Sequence, residues 1–277
     1  MKKNIIGKIS LSVILIMLPA FLYCQSRSNC EDYLISLPKQ LQVSETTPQK
    51  YLMTTDYMDY DLFGNFIKKN RVTGECTLLK DGYVKWNNVK ISGSQNPDEP
   101  FPDGEKQSFM ENFTYNPSSG VLNDSFFKDV PKADIFIKNL VWDLTMFETY
   151  AWYKWDSLRL NSEFPAKDIN SEIKIPGAGT FENRDVRITW AGITKTSDKI
   201  CAIIKYIALN NSLEMKYQNA TIKGRSHYWG SINVSLSDRQ IEYAGLYEDV
   251  LLDIKTEGQI SDYKSNTVRN ISLIKIQ

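Results

Sequence analysis

TIKGRSHYWGSINVSLSDRQIEYAGLYEDVLLDI, from Thr221 to Ile254, decides the fold. It divides at Ser237-Asp238-Arg239 into two long runs rich in β-branched and aromatic residues, the pattern of a hairpin. Alternation in the first run puts Ile222, Tyr228, Ile232, Val234 and Leu236 on one face. Lys223, Arg225, His227, Trp229, Ser231 and Asn233 fall on the other, more polar face. Gly224 and Gly230 share a face. Glycine inside a strand marks either a bend or close backbone approach, or a weak spot; two on one face would let a long strand curl. His227 is the single histidine of the chain. It falls on the polar side, where an exposed or structural role is the simpler reading.

Outward from this hairpin the chain reads as two meanders separated by one helix. Before the helix, strands are expected at 51–60, 69–79 and 83–92, with turns at Phe63-Gly64-Asn65-Phe66 and Lys80-Asp81-Gly82-Tyr83. In the second of these turns Asp-Gly supplies the positive φ that a tight turn needs. Residues 93–104, GSQNPDEPFPDG, form a loop by composition. A pair of strands is expected at 108–115 and 121–127. After the helix come a linker at 161–170, strands at 171–175, 184–194, 199–208 and 212–217, turns at 176–179 and Asn210-Asn211, then the hairpin, and a last strand at 267–276.

The helix is expected near 131–160, opening at Pro131. One stripe at helical spacing holds Ile137, Leu140, Val141, Leu144, Phe147, Ala151, Trp155 and Leu158. A second holds Ile135, Trp142, Met146, Tyr150 and Tyr153, with Lys138, Asp143, Lys154 and Asp156 on the flanks. A surface helix has one apolar face. The second face here is covered either by other parts of the chain or by a ligand or partner. On the ligand reading, Trp142, Met146, Tyr150 and Tyr153 form the candidate binding site.

Residues 1–24 read as a signal peptide, with Lys2, Lys3 and Lys8 ahead of an apolar run too short to span a membrane comfortably. Cys24 follows that run, but Tyr23 before it is too large for a lipid-modified cysteine; cleavage after Cys24 is expected. Residues 25–50 read as a polar N-terminal arm and 51–277 as one β-rich domain. The full chain carries 33 basic and 33 acidic side chains, and removing the leader takes away only lysines. The resulting acidic balance speaks against nucleic acid as a partner. An exported chain can form disulfides, and Cys30–Cys76 is the expected pair, whereas Cys201 reads as a small buried hydrophobe.

Nothing in the motifs marks a reaction. There is no Gly-x-Ser-x-Gly elbow to go with His227, no CxxC pair, and no calcium-loop spacing in Asp56, Asp59 and Asp61 or in the acidic 93–104 loop. No cofactor and no metal site are expected. Trp86, Trp190 and Trp229 fall in expected strands, as core residues or as sugar-stacking platforms. The leader, the two meanders, the doubly apolar helix and the Gly224/Gly230 hairpin resemble the half-barrel lipid carriers of the bacterial envelope, the LolA/LppX type. That resemblance implies a curled antiparallel sheet around a helix and carries over no individual residue. The expectation is a mainly β protein with one major helix, its extended curled antiparallel sheet or half-barrel packed around that helix. It would be exported to the periplasm, outer membrane or medium and bind an apolar ligand such as a lipid. An envelope component with a protein partner and no small ligand is the alternative, and a hydrolase the third reading.

Overall fold

The structure is a computed structural model. It describes residue 32 and residues 48–276, apart from 118, 123, 128–129, 131–134, 176–178, 218 and 259–262. The expected signal peptide, its cleavage point, Cys30 and Pro131 lie outside the described residues.

A single sheet of 13 strands makes up the fold, and it does not close. The first meander is β1 (Gln49–Asp61), β2 (Phe66–Leu78) and β3 (Val84–Ser94), with β4 (Glu105–Lys106) and β5 (Phe113–Tyr115) both on the outer edge of β3. The second half runs β6 (Glu163–Pro165), β7 (Ser171–Ile175), β8 (Gly179–Asn183), β9 (Arg187–Thr196), β10 (Lys199–Tyr217), β11 (Ala220–Ser235), β12 (Ile241–Thr256) and β13 (Tyr263–Ile276). The two halves join where β1 pairs antiparallel with β13, from Lys50 opposite Ile276 to Asp61 opposite Ser265. At the far side β10 is flanked by β9 along one half and β8 along the other, so the sheet edge splits in two. Trp152 and the long helix α1 (Ile135–Ala151) lie against the concave face.

The hairpin forms as its alternation dictates. Its turn places Arg239 at φ 61. Ser226, Tyr228, Ile232 and Val234 are buried on the concave side, while Lys223, Arg225 and Trp229 are exposed outside. Both glycines serve close approach. A Cβ on Gly230 would lie 2.0 Å from the Gly245 carbonyl oxygen and 2.3 Å from the Tyr206 hydroxyl. That hydroxyl donates to the Gly245 carbonyl at 2.8 Å, so the missing side chain is what lets Tyr206 reach across β11 to β12. A Cβ on Gly224 would meet the Leu251 carbonyl at 2.4 Å.

Several local expectations are overturned. Residues 121–127 are not a strand: Ser119–Leu122 is a 3-10 turn and Asp124–Phe127 a helical turn. There the cluster Phe126, Phe127 and Trp142 packs edge to face, and tertiary packing overrides the β-leaning composition. Asn210-Asn211 is no hairpin turn. The left-handed Asn210 (φ 60) makes a bulge, and β10 continues through it for 19 residues. The linker at 161–170 contains β6, and β8 was missed. The helix ends at Ala151 rather than near 160, and a left-handed Lys154 (φ 39) separates it from a 3-10 turn at Trp155–Ser157. Cys76, expected to pair with Cys30, is a buried free thiol on the concave face of β2, and burial pushes its pKa up. Cys201 is fully buried, as expected.

Candidate functional site

The first stripe of α1 is core. Ile137, Leu140, Val141, Leu144, Phe147 and Ala151 are all buried against the sheet. The second stripe borders a cleft of about 880 Å³ between α1, the concave face and the segment 168–173. Trp142, Met146 and Tyr150 line it together with Ile135; Tyr153 does not. Beyond the helix, Tyr153 is buried beside Phe164, ring centroids 6.0 Å apart. Trp142 is oriented by donating its indole N–H to the Val121 carbonyl at 2.9 Å.

Strand register explains the chemistry of the cleft. Inward-facing residues of neighbouring strands stand opposite one another and form rows across the sheet. One row, Thr55, Ile271, Leu246, Gly230 and Tyr206, runs across β1, β13, β12, β11 and β10. Ile271, Leu246 and Tyr206 belong to the main core, Thr55 is buried beside them, and Gly230 makes room for Tyr206. The row two residues on is polar: Asn70, Tyr57, Arg269, Glu248 and Tyr228, from β2 through β11. Farther along the same face the residues turn apolar again, with Leu252, Leu213, Phe181 and Ile173 successive across β12, β10, β8 and β7, and Gly224 between the first two. Leu213, with the partly buried Met215, Phe181, Val250 and Leu252 packed against it, forms a second apolar cluster, which Phe181 links to the main core. All five line the cleft. The polar row therefore divides a packed core from an apolar basin.

At the polar row Arg269 reaches Glu248 on β12 and Asp143 on α1, tying helix to sheet. Arg269, Asp143 and Glu248 are 8%, 7% and 7% exposed. Ser226 Oγ donates to Glu248 Oε1 at 2.5 Å, and the guanidinium lies over the Tyr57 ring at 5.1 Å. Burial pushes the Asp143 pKa up to about 6; Arg269 pulls it down and Glu248 adds to the rise. Asp143 is thus a buried ion-pair partner and not the solvated flank residue its position between two stripes suggested. Next to the triad, Tyr228 donates to Asn183 Oδ1 at 2.5 Å, Asn183 Nδ2 donates to the Tyr150 hydroxyl at 3.2 Å, and the two phenols lie 2.6 Å apart. This closed ring fixes Tyr150 at the cleft wall. Glu148 also lines the cleft, and burial pushes its pKa up to about 7.

Other candidates are elsewhere. His227 is on the convex side, where Nδ1 accepts from the Asn210 backbone N–H at 3.3 Å. Asp56 pairs with Arg71 and Asp61 caps its own turn through Asn65, whereas Asp59 lines the cleft and accepts from Thr267. Among the described residues no group of acidic, histidine or cysteine side chains could hold a metal ion, and no helix is long and apolar enough to cross a membrane. Trp86 and Trp190 are core, while Trp229 is 45% exposed on the convex face and stacks on Tyr247.

Sequence reasoning found one wall of the cleft, on the helix, and missed the sheet wall. A signal was present: the alternation that turns Leu246 and Val250 inward turns Glu248 inward with them, and the one that buries Ile271 buries Arg269. Opposite charges on the apolar faces of two strands need one another.

No family model matches the chain, and no curated protein matches it. Among solved structures it is similar to one titled "Lipid-protein interactions in lipovitellin", with a TM-score of 0.42 and 13% identity. The match covers 86% of this chain and 26% of that one, so the chain spans about a quarter of the length of the protein it matches.

Proposed function

We propose that this protein binds an apolar ligand such as a lipid in the cleft between α1 and the concave face, and does so as an exported protein of the bacterial envelope. The observation that carries the reading is the second apolar cluster. Leu213, Met215, Phe181, Val250 and Leu252 face inward as core residues do, yet among the described residues no helix fills the space above them. An unfilled inward apolar face forfeits dispersion contacts and leaves hydrocarbon against water. A ligand of lipid-like character would supply both. A cleft of this size, apolar with a few convergent polar groups, is what small-molecule sites look like. The polar row at its inner end would meet the ligand's polar end and stop it from entering the core. Export rests on the leader-like residues 1–24 alone.

The test uses the chain purified from its native host compartment. Native mass spectrometry and organic extraction should recover a bound lipid. The neutral reporter N-phenyl-1-naphthylamine should brighten on binding the delipidated protein. Val250→Trp, which fills the basin from β12, should abolish that signal while leaving the circular dichroism spectrum unchanged. Absence of both a co-purifying lipid and reporter binding overturns the reading.

A further inference from the structure

Resting on that reading, the unmet donors of the cleft point to the kind of polar end it accepts. Most of the polar row is matched within the protein. Ser226 donates to Glu248, and Tyr228, Asn183 and Tyr150 close on one another. The exception lies where Arg269 stands opposite Tyr57 across the β1–β13 ladder. Both line the cleft, and they are 8% and 5% exposed. Two guanidinium nitrogens of Arg269 serve Glu248 and Asp143. The third, Nε, is buried and has no hydrogen-bond partner among the described residues. The Tyr57 hydroxyl accepts from Asn139 Nδ2 at 3.2 Å, and among the described residues no acceptor takes its own proton.

A buried donor without an acceptor costs free energy and calls for an explanation. An oxygen at the polar end of a ligand would remove that cost, and its chain would lie in the apolar basin, which begins at Val250 and Leu252, just beyond Glu248 on the same strand. The charges of the cleft narrow the choice. Arg269 is the one basic side chain among the described residues that line it, and two carboxylates already hold it. A carboxylate ligand would be a third acid on a single cation. An ammonium carries donors only and leaves both protein donors unmet. A carbonyl or hydroxyl oxygen accepts without adding charge. We propose that the cleft takes amphiphiles with an uncharged, oxygen-bearing polar end, esters and alcohols, with Arg269 Nε and the Tyr57 hydroxyl as the donors to that oxygen.

The delipidated full chain, loaded with N-phenyl-1-naphthylamine at pH 7.5, is titrated with methyl laurate, laurate, dodecylamine and dodecane, which share one chain length. Methyl laurate should displace the reporter at about tenfold lower concentration than the other three, the difference expected for one hydrogen bond from a charged donor. Tyr57→Phe, which keeps the ring and removes the proton, should lose part of that advantage. Arg269→Lys, which keeps the charge and removes Nε, should lose most of it. Displacement by dodecane should be unchanged in both. Circular dichroism reports whether Arg269→Lys is folded; if it is not, Tyr57→Phe decides alone. Laurate, dodecylamine or dodecane displacing as well as methyl laurate, or a folded variant that keeps the whole advantage, overturns the inference while the apolar site stands. Failure of the reporter itself to bind overturns the site, and with it this inference.

Discussion

Single side chains in this protein carry roles that only their neighbours explain. Gly230 is small because Tyr206 has to pass over it to reach the Gly245 carbonyl. Its φ is not in the left-handed region, so alanine is tolerable to the backbone and only the contact objects. Gly230→Ala should cost about 2–4 kcal/mol from overpacking plus the lost hydrogen bond, read from urea melts. Glu148 makes the opposite kind of prediction. Its folded-state pKa of about 7 stands above the ordinary 4.5, so the native state binds its proton more tightly than the unfolded chain. Where the native state holds more protons, stability falls as pH rises. The penalty is absent below the unfolded pKa, grows between about 4.5 and 7, and is complete above 7. Glu148→Gln should therefore match the parent near pH 4 and exceed it at pH 8 by up to about 3 kcal/mol. Denaturant midpoints across that range, without ligand, check the sign; a variant less stable at pH 8 would refute it.

Elements are tied to one another at a few places. α1 is joined to β12 and β13 through Asp143, Glu248 and Arg269. Removing one member of a buried ion trio leaves the others unpaired, which costs about 3–5 kcal/mol, whereas removing all three is far milder. Arg269→Met should lower stability by that amount, and the combined Asp143→Leu, Glu248→Met and Arg269→Met variant should recover most of it in thermal melts. If the triple variant is no better than the single, the trio stabilises the fold outright. The hairpin of β11 and β12 was legible in the sequence because alternation, turn composition and length agreed over a continuous segment. The helix was legible in its apolar stripes but not in its end, since Trp155 and Leu158 are buried by position after the helix has stopped. Asn210-Asn211 misled because the same residues that favour a turn also favour the left-handed residue of a bulge.

At the largest scale the two halves of the open sheet are joined by strands far apart in the chain, β1 and β13. Asp59 and Thr267, hydrogen-bonded at 2.7 Å, are 208 residues apart in sequence. Pairing so distant a couple requires loop closure before any contact repays it, and such topologies fold slowly, in the range of about milliseconds to seconds or longer. Stopped-flow refolding should show β1–β13 contacts, probed by a reporter pair at Tyr51 and Lys275, appearing after the β11–β12 hairpin. Simultaneous appearance would refute that order.

The chain by itself determined the mainly β class, the hairpin and its faces, and a helix with more apolar surface than one side needs. These are properties of local periodicity, and every residue in the window carries part of the signal. Tertiary structure alone decided which strands are neighbours, that Arg269 stands opposite Glu248 and beneath Asp143, and that Leu213, Val250 and Leu252 face an unfilled basin. Register between distant strands is settled by pairing across the sheet. A cavity is the difference between the space the backbone encloses and the volume its side chains fill, and no stretch of sequence contains that difference.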